Sequence, residues 1–282
     1  MSKTSRSLIA ALGLSSLACT AAADVKPDGG DYAALPPGTD LLVMYYQHPT
    51  ADRLNAGGKR VTDNLGLEMD VGLLRYVHYT KWGDYIVDPQ IIVPVGRQKI
   101  GLADKETSGL GDVIFGATLW TIADMQNGEH LGWSVFFTAP TGSDKNQGFA
   151  LSNNRWATDF QVGYVKRIAP KWSVDAIGEV EFYQHDQDSG AKRDPLYQAH
   201  GHLRYHVSDA THLGLSYRHS WGAKDTLHGV AQTDSRNNGN VTLSAATFIA
   251  PTWQAMVQCS HDTQVQDGPL TRAIQTRLVK VF

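Results

Sequence analysis

Three histidines at alternating positions of one short stretch are the residues best suited to chemistry. His200, His202 and His206 lie in YQAHGHLRYHV and share one parity. Imidazole nitrogens bind metals and change charge near neutral pH, so the spacing allows a metal site or a pH-sensitive constriction. A wall that faces water also accommodates histidine. We favour that interpretation because metal ligands must converge in space, which spacing along one strand does not ensure. We therefore expect neither a metal nor a cofactor.

Acidic and basic residues repeat this arrangement in the neighbouring segments. Side chains of a β-strand point alternately to opposite faces, so residues of like parity share one face. If that face lines a channel, the charges pair across strands and bias passage by charge. Otherwise they form a charged network that fills a narrow interior. The residues expected to line a solute path are Asp159, Arg167, Asp175, Glu179, Glu181, His200, His202, Arg204, His206 and Arg218.

The glycines of SGLGDVIFGATLW, residues 108–120, resemble a dinucleotide-binding turn at first sight. That motif requires a helix after the glycine turn, whereas an amphipathic strand follows here. We interpret Gly109 and Gly111 as allowing tight curvature where a loop enters a sheet. Gly116, inside the strand, is expected to allow bending or a close approach of another chain segment.

Signatures of hydrolases are missing from the sequence. It contains no G-x-S-x-G, no H-E-x-x-H and no Walker loop. Ser216 and Ser220 lie close to His219 along the chain, but the histidine has the opposite parity and is expected on the other side of the wall. We therefore predict no enzymatic activity, with a barrel hydrolase acting on lipid or peptide as the alternative.

The elements that position these residues alternate apolar and polar side chains with period two, which is typical of half-buried strands. Six long polar connections alternate with five short turns, so both chain ends are expected on the same side of an up-and-down sheet. The twelve strand segments lie near 40–48, 67–80, 85–95, 111–122, 131–140, 156–168, 172–185, 197–207, 212–223, 238–250, 253–262 and 270–282.

Strand length and aromatic placement favour a membrane barrel. Many segments have about ten residues, enough for a tilted strand to cross the hydrocarbon core. Closure of the sheet removes edges that lipid does not tolerate. The fold class predicted is thus all-β, a transmembrane up-and-down antiparallel β-barrel of about 12 strands, with a soluble β-domain as the alternative. Aromatic residues at the strand ends, expected at headgroup depth, are Trp82, Tyr85, Trp120, Trp133, Trp156, Trp172, Trp221 and Trp253.

Two segments are irregular. The doublet Leu73-Leu74 interrupts the alternation of apolar and polar residues. Arg75 therefore either follows a β-bulge or points into the lumen. Pro89 and Pro94 predict a bent or interrupted third strand, because proline does not donate a ladder hydrogen bond.

The N-terminal region predicts export. Residues 1–23 combine Lys3 and Arg6 with a short apolar run and Ala21-Ala22-Ala23, the pattern of a secretory signal peptide. Lipidation at Cys19 is the weaker interpretation. Removing the two positive charges changes the net charge from −3 to −3 − 2 = −5, which does not favour nucleic acid as a partner.

The mature chain divides into two parts. Residues 24–39 lack a strand pattern and form either a disordered leader or a partial plug that enters the lumen. Residues 40–282 form the barrel. The chain stops at Phe282, which resembles the C-terminal signal that outer-membrane barrels present to the barrel-assembly machinery.

Three motifs carry a family resemblance: LPPGTDLLVMYY (35–46), SGLGDVIFGATLW (108–120) and FFTAPTGSDK (136–145). Their order and spacing resemble the outer-membrane transporter family named for the MetA pathway of phenol degradation. The resemblance implies a barrel in the outer membrane of a Gram-negative bacterium, in contact with lipid, that takes up small hydrophobic or aromatic solutes passively. A surface adhesion or structural barrel is a further alternative. The resemblance implies no catalytic residue in this chain.

Overall fold

The computed structural model describes residues 26–144, 147–232 and 234–282. The predicted signal peptide, residues 1–23, lies outside the described residues. In the described part of the chain, no helix has the length and apolar character needed to cross a membrane.

Twelve long strands make up the wall, and each coincides with one of the segments predicted from periodicity. The wall strands are β1 Asp40–Ala51, β2 Leu67–His78, β3 Tyr85–Ile100, β4 Val113–Asp124, β5 Glu129–Ala139, β6 Ala157–Ala169, β7 Trp172–Tyr183, β8 Leu196–His206, β9 Thr211–Gly222, β10 Arg236–Ala250, β11 Trp253–Gln264 and β12 Arg272–Val281. Shorter elements in the connections are the strands Leu54–Ala56, Lys59–Thr62, Thr80–Trp82, Lys105–Leu110, Lys192–Arg193, Asp225–Leu227, Val230–Ala231 and Gly268–Pro269, and the 3₁₀ turn Gly101–Ala103.

The sheet closes on itself. Each wall strand pairs antiparallel with its neighbours in the chain, and β1 pairs with β12 from Leu41↔Val281 to Thr50↔Arg272. This seam joins the first and last strands, so the predicted twelve-stranded barrel is confirmed. We call the end with the six long connections the loop end and the end with the five short connections the turn end.

Alternation along each strand separates the two faces of the wall. On β6, Asp159 and Gln161 are buried, whereas Phe160 and Tyr164 are exposed. The exposed outer face is rich in large apolar side chains, as expected for a surface in contact with hydrocarbon. The polar side chains point inward, and they define the lumen.

The expectation that Trp120 belongs to an interfacial girdle is wrong. Its side chain is 1% exposed and stacks on Tyr79 inside the barrel, with ring centroids 5.5 Å apart. Trp120 has the same parity as the buried residues Ile114 and Thr118. It therefore points inward although it lies near the end of its strand.

Strand β3 changes its partner along its length. It pairs with β4 only as far as Ile92↔Ile114, and from Val95 onward it pairs with the short strand Lys105–Leu110. Pro94 lies at this change, in agreement with the predicted irregularity. Arg75 occupies the lumen within a regular ladder, so no bulge is needed after Leu74.

The motifs SGLGDVIFGATLW and FFTAPTGSDK meet at Asp112. Its carboxylate accepts hydrogen bonds from the backbone N–H of Gly142 (2.8 Å) and of Asn153 (2.7 Å). Asp112 N–H in turn donates to the carbonyl of Leu151 (2.7 Å). The carboxylate thereby fixes the connection that follows β5, residues 140–156, which we call the inserted loop. Gly111, directly before Asp112, leaves room for this loop, because a Cβ there would lie 2.9 Å from Leu151 Cβ.

Candidate functional site: the barrel lumen

A segment of the chain that precedes β1 crosses the lumen. We call residues 26–39 the strap. On one side, Arg277 of β12 binds both Asp28 and Asp31, each through Nη1 at 3.0 Å, and Arg75 of β2 binds Asp31 at 3.3 Å. Burial works against the ionised form of Asp31, but Arg277 and Arg75 outweigh it and hold the pKa of this carboxyl below its usual value. The strap is therefore fixed here by buried ion pairs.

On the opposite side the strap meets the acidic strands. Gly30 N–H donates to Asp175 Oδ2 at 2.6 Å, and Arg204 Nη2 donates to the other oxygen of Asp175 at 2.8 Å. Gly30 has φ +98°, and a Cβ there would lie 2.9 Å from Arg204 Nη1. Glycine is thus required at this position for both backbone conformation and space.

Tyr32 fits a slot made by two glycines. Gly132 and Gly163 pair across β5 and β6, and a Cβ at Gly163 would collide with the Tyr32 ring. The phenol is 4% exposed, donates to Gln161 Oε1 at 2.8 Å and lies 2.8 Å from Ser134 Oγ. Burial raises the pKa of Tyr32, so it keeps the proton that it donates.

The histidines predicted from parity all face inward but do not converge. His200 Nε2 lies 3.4 Å from Glu179 Oε2, whereas His202 Nδ1 lies 2.7 Å from Ser216 Oγ. His206 Nε2 contacts Ser173 Oγ at 2.8 Å, nearer the turn end. Within residues 26–144, 147–232 and 234–282, no group of three or more His, Cys, Asp or Glu side chains is arranged to hold a metal ion.

The remaining predicted residues occupy three different settings. Asp159 and Glu181 are buried on neighbouring strands, where Asp159 accepts from Gln161 Nε2 at 2.6 Å. Arg218 is partly buried on β9 and donates to Gln198 Oε1 at 3.2 Å. Arg167 is exposed at the turn-end rim, so the structure places it outside the deep interior.

The loop end of the lumen has an apolar wall. Phe149 and Leu151 of the inserted loop are 2% and 1% exposed and pack against residues from β1 to β3. Gln98 fixes this loop from β3: its Nε2 donates to Gly148 O, and its Oε1 accepts from Ala150 N–H, both at 3.0 Å. Ile92, Ile114 and Phe136 extend the apolar surface towards the middle of the barrel.

A cavity of about 170 Å³ remains between the strap and the loop end. The strap contributes Lys26, Pro27 and Asp28 to one end of the cavity. The apolar wall of β2–β4 lines one side, and polar strands β8–β11 line the other. Its lining includes Val71, Leu73, Ile92, Ile114, Leu151, His200, His202, Ser216, Arg218, Asn240, Thr242, Gln258, Ser260 and Asp262.

Sequence reasoning missed the strap contacts and Arg277. The parity of Arg277 on β12 is inward, so period two would have placed it in the lumen. Asp28, Asp31 and Tyr32 carry no periodic signal, and their roles follow only from contacts with residues more than 40 positions away.

Comparison with known proteins agrees with this architecture. The family model described as "Putative MetA-pathway of phenol degradation" matches residues 51–278. The chain belongs to this family. The crystal structure of the outer membrane channel from Pseudomonas putida F1 is similar over 92% of this chain and 100% of that chain, with 34% identity and a TM-score of 0.86. This member of the phenol-degradation family thus has the fold of an outer-membrane channel.

A more distant structure shows the fold alone. The translocator domain of the autotransporter NalP from Neisseria meningitidis is 10% identical, covers 90% of this chain and 91% of that chain, and has a TM-score of 0.53. No curated protein matches the chain.

Proposed function

We propose that the protein is a channel of the Gram-negative outer membrane that passes small hydrophobic or aromatic compounds without an energy source. The observation that carries this proposal is the cavity, which presents apolar side chains from β2–β4 opposite polar side chains from β8–β11. The description of the family and the likeness to an outer membrane channel support the same function.

The strap acts in this proposal as a partial plug. It occupies the lumen between the cavity and the turn end, where Tyr32 and Asp31 contact opposite walls. A solute that enters at the loop end therefore reaches the cavity first and passes the strap afterwards. Passage past this point requires the strap to shift.

The charged residues predicted from parity, apart from Arg167 at the rim, are proposed to line the path and to act on charge rather than on covalent bonds. Asp175 and Arg204 fix the strap, while His200, His202 and Arg218 line the cavity. Their side chains lie in a confined interior, where charges interact more strongly than in bulk water.

A hydrolytic function is not favoured by the geometry of the lumen. The hydroxyl of Ser216 lies within hydrogen-bonding distance, 2.7 Å, of Nδ1 of His202. Nε2 of His202 has no hydrogen-bond partner within the described residues. A serine nucleophile needs a histidine that a third group orients, and here the second nitrogen is not oriented. His219 lies on the outer face, where it contacts Asn237 at 3.0 Å.

Export and assembly complete the proposal. A signal peptide at residues 1–23 would direct the chain across the inner membrane. Phe282 is 66% exposed at the turn end, and its N–H donates to Asp40 O at 3.0 Å. An exposed terminal aromatic ring is available to the barrel-assembly machinery, which we propose as its partner.

The function is tested in vesicles whose outer leaflet is lipopolysaccharide, which slows the direct crossing of apolar solutes. Purified full-length protein is reconstituted, and the entry of phenol and of arabinose is followed by stopped-flow measurement. We expect the protein to accelerate phenol entry more than arabinose entry. Entry of phenol at the rate of protein-free vesicles would contradict the proposal. A variant that lacks residues 26–36 is expected to admit both solutes faster.

A further inference from the structure

The first two strands of the wall carry the same short motif on the outer face of the barrel. The spacing D-x5-Y-x-H occurs at residues 40–48 of β1 and again at residues 70–78 of β2. The two strands are antiparallel neighbours, and Asp40 pairs with His78 in the ladder. The aspartate of each strand therefore meets the tyrosine and the histidine of the other strand, which gives two copies of one cluster.

The two copies lie at opposite ends of the membrane-crossing stretch. The stretch from Asp40 to His48 has nine residues, and a tilted strand needs about 9–11 residues to cross the hydrocarbon core. The copy that contains Asp40 is at the turn end, as are the exposed aromatic residues Trp82 and Tyr85. Short turns of bacterial barrels face the periplasm. This copy therefore faces the phospholipid leaflet, whereas the other copy faces lipopolysaccharide.

The copy at the loop end is completed by groups of the protein. Asp70 Oδ1 accepts a hydrogen bond from Tyr46 OH at 2.7 Å and lies 3.0 Å from His48 Nδ1. Asp70 Oδ2 accepts a hydrogen bond from Arg97 Nη2 at 3.1 Å. Both oxygens of this carboxylate thus have donors, and the arginine offsets its charge.

The copy at the turn end differs in one oxygen. Asp40 Oδ1 accepts a hydrogen bond from Tyr76 OH at 2.6 Å and lies 2.7 Å from His78 Nδ1. Oδ2 receives neither donor, and in residues 26–144, 147–232 and 234–282 no arginine binds it as Arg97 binds the other copy. The Asp40 side chain is 32% exposed. A cation from outside the protein can therefore reach this oxygen.

A cationic side chain of the same face is close to Asp40 but is bound elsewhere. Lys280 on β12 pairs with Leu42 of β1, so Lys280 and Asp40 are diagonal neighbours about 7–8 Å apart. Lys280 Nζ donates to Thr252 Oγ1 at 2.7 Å and lies over the ring of Trp253. In the part of the chain that the structure describes, these opposite charges thus lie side by side without forming an ion pair.

A zwitterionic lipid headgroup matches this pair of charges. Phosphatidylethanolamine carries a phosphate and a primary ammonium group, which two carbon atoms separate. The ammonium has three N–H donors, as a lysine side chain has, and its charge strengthens a hydrogen bond to a carboxylate. A quaternary ammonium has no N–H to donate, so a lipid that carries one lacks this hydrogen bond.

We propose that the outer face at Asp40 and Lys280 is a binding site for phosphatidylethanolamine of the periplasmic leaflet. The ammonium donates to Asp40 Oδ2, and the phosphate binds Lys280 Nζ. Tyr76 and His78 orient the carboxylate through its other oxygen. The site lies on the lipid side of the wall, so it is independent of the path through the lumen.

The test is native mass spectrometry of the purified full-length protein, titrated in detergent with three phospholipids of identical acyl chains. Phosphatidylethanolamine has both groups, phosphatidylcholine has a quaternary ammonium, and phosphatidylglycerol has the phosphate without an ammonium. We expect phosphatidylethanolamine to bind at least about tenfold more tightly than either of the others, a difference of about 1.4 kcal/mol. Binding of phosphatidylcholine or phosphatidylglycerol as tight as that of phosphatidylethanolamine would overturn the proposal.

The two copies of the motif provide matched variants. Asp40→Asn is expected to weaken phosphatidylethanolamine about tenfold, to the affinity of phosphatidylcholine. Asp70→Asn makes the same change in the loop-end copy and is expected to leave lipid selectivity unchanged. Lys280→Gln is expected to weaken all three lipids because each carries the phosphate, and Lys99→Gln, at an exposed position of β3, is its control.

Folding of each variant is checked by the heat-dependent shift in mobility on a mild detergent gel. A folded Asp40→Asn barrel that still prefers phosphatidylethanolamine would refute the assigned role of Asp40. Equal loss of selectivity in Asp40→Asn and Asp70→Asn would refute the difference between the two copies. The comparison of lipids on the parent protein requires no variant, so it decides the proposal even where a substitution prevents folding.

Discussion

Two chain segments enter the lumen, and they are fixed by opposite chemistry. The strap is fixed mainly by ion pairs and hydrogen bonds, with Asp28 and Asp31 bound to Arg277. The inserted loop is fixed by apolar packing of Phe149 and Leu151 and by backbone hydrogen bonds to Asp112. Both segments reduce the open interior, one from each end.

This difference has a consequence for the movement of each segment. Water can replace the polar contacts of the strap when the strap moves, whereas moving Leu151 exposes apolar surface at about 25 cal/mol per Å². We therefore expect the strap to move during passage and the inserted loop to remain in place. The predictions that follow test this contrast.

The largest effect is expected from Arg277→Met. The change leaves the buried carboxylates of Asp28 and Asp31 without their main partner, a loss of about 3–5 kcal/mol. The strap should leave its position, and single-channel conductance in planar bilayers should rise. Arg272→Met changes an exposed residue of the same strand and should not alter conductance. A folded Arg277→Met barrel with normal conductance would show that these ion pairs do not hold the strap.

The second prediction concerns the inserted loop. Asp112→Ala leaves the N–H groups of Gly142 and Asn153 without an acceptor, at about 1–3 kcal/mol each. Amide exchange in residues 147–153 should accelerate, while the strap remains protected. Asp124 also accepts two backbone N–H groups, but in an exposed turn, so Asp124→Ala is the control. If Asp124→Ala accelerates amide exchange in its own turn as much as Asp112→Ala does in the inserted loop, burial of the carboxylate is not the reason for the effect of Asp112.

The third prediction concerns the slot of Tyr32. Gly163→Ala places a methyl group against the ring, and overpacking of this kind costs about 1–3 kcal/mol. Conductance should rise, and the added change Tyr32→Ala should remove the collision and its energetic cost. Gly201→Ala adds a methyl group where no atom lies within 4 Å, so it should behave as the parent protein. If Gly163→Ala raises conductance equally with or without Tyr32, the slot is not the cause.

The smallest effect is a pH dependence at the loop end. Burial, with a contribution from Asp225, raises the pKa of Asp234 from 3.8 to about 6. A raised pKa stabilises the folded loop while the group is protonated, and this contribution is lost as the pH rises through about 6. Protection of the Asp225 amide, which donates to Asp234 at 2.9 Å, should therefore decrease from pH 4 to pH 7 after correction for intrinsic exchange.

Asp234→Asn provides the check on this assignment. The substitution removes the titrating group, so protection of Asp225 should no longer change over this pH range. Asp209→Asn, in an exposed turn at the other end, should leave the pH dependence intact. A persistent pH dependence in Asp234→Asn would assign the effect to another group.

Alternation along the sequence was sufficient to place most of the interior. Strict alternation along β7 predicts a lumen position for Asp175 and Glu179, because apolar side chains of the other parity occupy the outer face of the strand. The same rule was ambiguous at Leu73-Leu74, where both faces are apolar. At Trp120 two sequence signals conflict: its position at a strand end predicts the interface, whereas its parity predicts the lumen, where the side chain lies.

The filling of the lumen was not predictable in the same way. The slot of Tyr32 requires glycines on two paired strands, Gly132 and Gly163, about 100 or more residues away along the chain. The contact between Asp112 and Gly142 joins two motifs through a loop without period. Such contacts depend on three-dimensional closure, and local patterning contains no information about them.

The position of Arg277 bears on biogenesis. This residue belongs to the strand that closes the barrel against β1, and it binds both carboxylates of the strap. The strap either lies in the lumen when the barrel closes or enters the lumen after closure. A barrel that closed around an empty interior would leave Arg277 buried beside no carboxylate of the strap, and the cost of an unpaired buried charge favours occupation of the interior by the strap.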